Sequence, residues 1–150
     1  MNEKLQLDLV GTDAVWTLRD EILRVGLPRG ETVYEGDERP DTLHVGAFSH
    51  AEVVAVSTIC RDPSCQNVQA WRLRGMAVRP QWRNCGVGTA LASYCIAYAQ
   101  RSGAELVWST ARLSALTFYK RLGFLEVGDP FSRADVAEDQ FIRMELRFSR

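Results

Sequence analysis

Two glycines one residue apart, set between a strand-like segment and an apolar helix-like run, constrain this chain more than any other feature. The segment before them reads VQAWRLRGMAV (68–78), the loop is RNCGVG (83–88), and the run VGTALASYCIAYAQR (87–101) follows. In that run Leu91, Cys95 and Tyr98 fall on one helical face, with Ala92, Ile96 and Ala99 beside it. The N–H groups at a helix start lack backbone partners and carry partial positive charge, so they suit an anion. Gly86 and Gly88 take away the Cβ atoms that would keep a ligand off this backbone. Arg83 adds a fixed cation and Thr89 a hydroxyl. A phosphate or pyrophosphate is the natural occupant, while a glycine-rich turn without a ligand is the plainer alternative for the loop taken alone. A Walker A loop does not fit, because Thr89 and Ala90 stand where Lys and Ser/Thr are required. The dinucleotide pattern does not fit either, since Leu91 occupies the place of its third glycine.

The rest of the chain reads as alternating strands and helices. LQLDLV alternates Leu5, Leu7 and Leu9, as a half-buried strand does. A helix follows over TDAVWTLRDEIL, with Thr12 or Asp13 as its cap and Val15, Leu18, Ile22 and Val25 as its apolar stripe. Residues 26–41 are turn-rich and acidic and read mainly as loop. TLHVGAF and EVVAVSTIC form a hairpin around Ser49, His50 and Ala51. After the helix at 87–101 come a strand AELVWST, a helix SALTFYKRL stopped by Gly123, and two closing strands, FLEVG and QFIRMELRF. The stripes are buried together if helices cover both faces of a mixed, mostly antiparallel central sheet, an α/β (α+β) architecture.

Size and charge narrow the function classes. A chain of 150 residues suits one domain, 1–150, and can bury about 68–70% of its unfolded surface without a metal or disulfide staple. The net charge of -1 gives no basic excess for nucleic acid and no sign of a membrane-binding surface. The N-terminus lacks the order of a signal peptide, and no run reaches the ~20 apolar residues of a spanning helix. Cys60, Cys65, Cys85 and Cys95 form no C-x-x-C pair and lie far from His44 and His50, so reduced thiols in a cytoplasmic protein are expected and no metal.

The segment RLRGMAVRPQWRNCGVGTAL, taken with SALTFYKRLGF, resembles the GNAT family of acetyl-CoA-dependent N-acetyltransferases. The family's loop Q/R-x-x-G-x-G/A is matched by Arg83, Asn84, Cys85, Gly86, Val87 and Gly88. Its A-x-x-x-Y-x-x-x-G-F is matched by Ala115, Tyr119, Gly123 and Phe124. The strong resemblance covers about residues 70–127, and the element order fits nearly the whole chain. It implies the GNAT fold with acetyl-CoA as cosubstrate. It also implies that the pantetheine arm pairs with the backbone of Met76, Ala77 and Val78, and that an N–H near Ala77 or Val78 polarises the thioester carbonyl. Residues 84–89 would hold the pyrophosphate, and Tyr119 would stand near the sulfur, with Phe118 beside it. A neutral phenol, of pKa ~10, can give a proton or hydrogen bond to a departing thiolate. The plainer role for Tyr119 is a core aromatic, but Phe118 and Leu122 already form the apolar i, i+4 pair of that helix.

The chain departs from the family where Arg112 replaces the common asparagine seven residues before the tyrosine, leaving Thr110 and Ser114 as nearby polar substitutes. Arg72 and Arg74 stand where some relatives place a carboxylate base. Glu31, Asp41, His44 and Glu52 are the remaining candidates for a base, with His44 better read as a structural strand residue. The expectation is therefore direct acetyl transfer to a primary amine in a ternary complex. A non-catalytic CoA-binding module is the alternative, and an ATP-binding loop a weaker one. The acceptor is expected to be a small-molecule amine, with an amino-acid derivative as the type that would use the arginines, and the resemblance implies that about residues 24–42 and 128–141 meet it. A homodimer is an assembly open to such a chain.

Overall fold

The computed structural model describes residues 5–23, 32–62, 69–133 and 136–148. Seven strands form one sheet in the order β1-β2-β3-β4-β5-β7-β6. They are β1 (Gln6–Leu9), β2 (Leu43–Ser49), β3 (Glu52–Arg61), β4 (Ala70–Val78), β5 (Leu106–Arg112), β6 (Leu125–Arg133) and β7 (Val136–Arg147). Among the described residues three helices accompany them: α1 (Thr12–Ile22), α2 (Val87–Arg101) and α3 (Leu116–Arg121), with short 3₁₀ turns at Pro80–Trp82 and Leu113–Ala115. Every neighbouring pair is antiparallel except β4 and β5, which α2 joins as a crossover. The sheet is thus mixed and mostly antiparallel, as the element pattern implied.

The two faces carry different loads. Leu91, Ala92, Cys95 and Ala99 of α2 pack on Val45, Ala47, Val54, Ile59, Trp71 and Leu73. Val15 and Leu18 of α1 pack on Val56 and Ala77. Burial holds the Cys95 thiol protonated, its pKa pushed up to about 12.

Several local expectations change in detail. Leu9 stays half exposed, because Val10 rather than Leu9 joins the cluster under α1 as the chain turns. Gly11 is the N-cap of α1, and neither Thr12 nor Asp13 makes a side-chain cap bond; Asp13 instead sits in the first turn, where it suits the helix dipole. The helix expected at 114–122 divides into a 3₁₀ turn and a shorter α3. The closing strands are longer than the apolar runs that announced them, because β6 and β7 continue their pairing through Phe131–Phe141 and Ser132–Gln140.

A buried ion pair stands where the apolar stripe of α1 would predict a hydrophobic residue. Arg19 lies four residues after Val15 and three before Ile22, a core slot, and is fully buried. Its Nη1 donates to Asp37 Oδ2 at 2.7 Å and to the Thr32 carbonyl at 2.8 Å, and its Nη2 donates to Thr58 Oγ1 at 2.9 Å. The acidic loop is therefore not simply a solvated rim, since Asp37 is drawn under the sheet face by Arg19. Trp16 Nε1 and the Tyr34 N–H also donate to its carboxylate. Burial alone would raise the Asp37 pKa, but these donors and the Arg19 charge together bring it below the ordinary value. His44 completes the cluster as the structural strand residue expected of it. Its Nε2 is 2.8 Å from the Asp37 carbonyl and its Nδ1 2.7 Å from Thr58 Oγ1. A neutral ring with the proton on Nε2 satisfies both contacts, and burial lowers the pKa accordingly.

Candidate active site

The site begins with a bulge. Val56 pairs with Ala77 and Thr58 with Arg74, so Gly75 and Met76 together face the single residue Ser57. Gly75 adopts φ +66, the left-handed region that an extra residue in a strand needs. The bulge reverses the in–out alternation of β4. Before it, Trp71 and Leu73 face α2 while Arg74 reaches Asp37 on the α1 side. After it, Met76 and Val78 face α2 and Ala77 faces α1.

At the same place β4 leaves β5. The paired residues run from Ala70–Leu106 to Arg72–Trp108 and stop. Ser109 spans the start of the gap, its Oγ 2.9 Å from the Leu73 carbonyl. Its Oγ is also 3.1 Å from the Tyr119 hydroxyl. A cleft of about 650 Å³ opens here, lined by both strands, the loop at Tyr34–Arg39, α3 and Phe141.

Tyr119 is half-buried, with Phe118 and Phe124 edge-on to its ring at 5.3 and 5.4 Å. Burial pushes the phenol pKa up, against the opposing pull of the Ser109 hydrogen bond and the Arg72 charge. The hydroxyl is consequently a neutral donor at the mouth of the strand gap.

The glycine loop meets the needs of an anion on geometric grounds. Asn84 has φ +60 and Gly86 φ +85, and the first intrahelical bond of α2 runs from the Ala90 N–H to the Gly86 carbonyl. The N–H groups of Val87, Gly88 and Thr89 thus precede that bond, and alternating left-handed residues turn successive N–H groups toward a common concavity. A Cβ on Gly86 would meet no protein atom within 4 Å, so the space above it is open to a ligand. Gly88 has a second constraint. A Cβ there would lie 3.3 Å from Met76 Sδ and 3.4 Å from Phe118 Cε1, which makes it the contact between α2, β4 and α3. Arg83 is exposed, and its Nε donates to the Val78 carbonyl at 3.3 Å, tying the loop to the end of β4. Cys85 is exposed with its Sγ 2.6 Å from the Trp82 carbonyl, so it is turned into the loop's own backbone.

Of the other residues picked from the sequence, Met76, Thr110, Phe118 and Tyr119 line the cleft; Ser114 lies exposed in the 3₁₀ turn outside that lining. Arg72, Arg74 and Arg112 all line it. The candidate bases Asp41, His44 and Glu52 are not among its lining residues. Asp41 pairs with Arg61 at 3.7 Å, His44 is held in the buried cluster, and Glu52 is an exposed partner of Arg79. Glu31 lies outside the described residues, as do residues 24–31 of the expected acceptor loop. Among the described residues, the carboxylates that line the cleft are Glu35 and Asp62. Asp62 carried no signal in sequence, because it stands at the end of β3 and enters the wall only through the register with β4. Ser109 was equally silent, since a serine in an apolar strand reads as ordinary interior polarity.

The model of the acetyltransferase (GNAT) family matches residues 12–124. The chain belongs to the GNAT acetyltransferase family. A curated relative is YitI of Bacillus subtilis (strain 168), described as an uncharacterized N-acetyltransferase, 26% identical over 148 residues that cover 97% of this chain and 99% of the relative. Among solved structures, ElaA of Escherichia coli superposes with a TM-score of 0.79 at 18% identity, covering 95% of this chain and 99% of that one. An aminoglycoside 6'-N-acetyltransferase solved with coenzyme A gives 0.75 at 17% identity, covering 97% and 98%. At those identities the structural likenesses speak for the fold. No helix among the described residues is long and apolar enough to cross a membrane.

Proposed function

We propose that this GNAT protein transfers an acetyl group from acetyl-CoA directly to a primary amine of a small molecule, in a ternary complex. The observation that carries the reading is the Tyr119 hydroxyl standing at the gap between β4 and β5, hydrogen-bonded to the serine that spans it. Acetyl-CoA supplies an acyl carbon activated by a good leaving group. In the reaction a C–N bond forms and the C–S bond breaks; the nitrogen gives up a proton and the sulfur takes one.

Residues 84–89 would hold the pyrophosphate through their N–H groups, with Arg83 and Thr89 at the rim. Past Arg72 no residue of β4 pairs with β5, so that edge of Met76, Ala77 and Val78 is open to the amide-bearing pantetheine arm. An N–H near Ala77 or Val78 would take up charge on the acyl oxygen. Ser109 has one hydrogen and two acceptor positions. With that hydrogen on the Leu73 carbonyl, the phenol donates to Ser109. When it turns to Tyr119, the phenol proton is released toward the sulfur. Tyr119 is thereby the proposed acid.

The experiment is calorimetry with acetyl-CoA followed by free-thiol release with a panel of primary amines, for the native chain and for Tyr119→Phe. Binding with amine-dependent thiol release is expected. The phenylalanine variant should bind acetyl-CoA as the native chain does and lose roughly 10²–10⁴-fold in kcat. Binding without thiol release from any amine would make the chain a CoA-binding module instead.

A further inference from the structure

We propose that the α1-side wall of the cleft is an anion subsite, so that the amine acetylated here also carries a carboxylate. The inference rests on the acyl-transfer reading and adds the substrate class to it.

The wall is built by strand parity. Arg72 and Arg74 alternate on β4 before the bulge, on the face away from Leu73 and α2. Trp108, Thr110 and Arg112 alternate on β5, and Arg72 lies over the Trp108 ring at 4.4 Å, so the two rows share a face. Arg39 enters from the loop. Among the described residues of the lining, Arg39, Arg72, Arg74 and Arg112 stand with Glu35 and Asp62, four positive charges to two negative. The whole chain carries -1, so the surplus is local.

The partners of Arg74 do not remove it. Asp37 is one carboxylate shared by two guanidinium groups, Arg19 at 2.7 Å and Arg74 at 3.2 Å. Arg74 also donates to the Glu35 carbonyl, while its buried Nε has no hydrogen-bond partner. Arg72 and Asp62 stand 3.9 Å apart across the same wall. The guanidinium groups are positioned by rings: Arg74 lies 5.3 Å from the Tyr34 centroid and Arg112 5.9 Å from that of Phe141. Planar forks held in place suit a carboxylate and lose little freedom on binding it. Glu35 and Asp62 in the same lining weigh against a dianion. The glycine loop is on the α2 side, so these arginines are not needed for the phosphates placed there.

The test uses matched amines: tyrosine with tyramine, lysine with 1,5-diaminopentane, phenylalanine with phenethylamine. The readout is kcat/KM from thiol release in the presence of acetyl-CoA. The carboxylate-bearing member of a pair that reacts should lead by roughly tenfold or more. Arg112→Gln should bring that ratio toward one, acting through KM. Arg74→Gln should do the same, and because Arg74 touches buried Asp37, exposed Arg112 keeps the test valid if the Arg74 variant fails to fold. Preference for the decarboxylated amines, or an undiminished ratio in Arg112→Gln, overturns the subsite and leaves the N-acetyltransferase reading standing. Absence of thiol release from every amine, despite acetyl-CoA binding, overturns that reading and this inference with it.

Discussion

Arg19 lies directly under Gly75: a Cβ at Gly75 would fall 2.6 Å from Arg19 Nε. The bulge that reverses β4 and the buried ion pair that anchors the 32–41 loop are therefore one packing unit. A helix from near the start of the chain sets the shape of the strand that bears the cleft.

Gly75→Ala should consequently destabilise the protein. The left-handed backbone alone costs an alanine about 1–2 kcal/mol, and moving Arg19 would also disturb its bonds to Asp37 and Thr58. Chemical denaturation should show a midpoint well below that of the native chain. An unchanged midpoint would mean that the bulge can relax without Arg19.

Gly86→Val should act on ligand binding instead. A Cβ at Gly86 meets no protein atom, so the fold is expected to persist with only the strain of φ +85. The side chain would fill the space over the helix start and weaken acetyl-CoA by several kcal/mol through lost N–H contacts. Calorimetry reads this directly, and native-like affinity would remove the phosphate from this loop.

Ser109→Ala separates the serine's part from the tyrosine's. It deletes the hydrogen bond to Tyr119 and the one to the Leu73 carbonyl. The expected outcome is a kcat lower by about tenfold, a milder loss than in Tyr119→Phe, with acetyl-CoA affinity little altered. If the two variants are equally impaired, Ser109 is doing more than orienting the phenol. If Ser109→Ala is fully active, the serine is a strand-spanning residue only.

Stability should fall in two stages as the solution is acidified. The His44 pKa is lowered by folding from 6.5, so its contribution is complete above that value and is lost as pH drops toward the folded pKa. The Asp37 pKa is also lowered, from 3.8, so its contribution persists to about that pH and is lost below it. Denaturation midpoints between pH 7.5 and 3 should show both losses. His44→Gln should flatten the upper stage; if that stage is equally steep in the variant, its origin lies elsewhere.

Much of this architecture was legible before any coordinates. Periodicity located the strands and helices, since a stripe of apolar residues has only one way to be buried in each element. The glycine loop and the tyrosine helix declared themselves through residue types that the chemistry requires. Arg19 was also open to reading: a charged residue in the core slot between Val15 and Ile22 demands a buried counter-charge. The demand does not name its partner, and among five acids in the 26–41 loop only packing selected Asp37.

What the sequence by itself determined was the list of elements and the glycine loop at the start of α2, because both follow from local backbone preference and local periodicity. Tertiary structure alone decided the rest. The register of β3 on β4 produced the bulge at Gly75, and that bulge sent Met76 to one face and Ala77 to the other. The divergence of β4 from β5 then brought Ser109 to Tyr119 and set Arg72, Arg74 and Arg112 around a common cleft. These are relations between residues far apart in the chain. They depend on which strand lies beside which, and a one-residue change of register would turn every side chain in them to the opposite face.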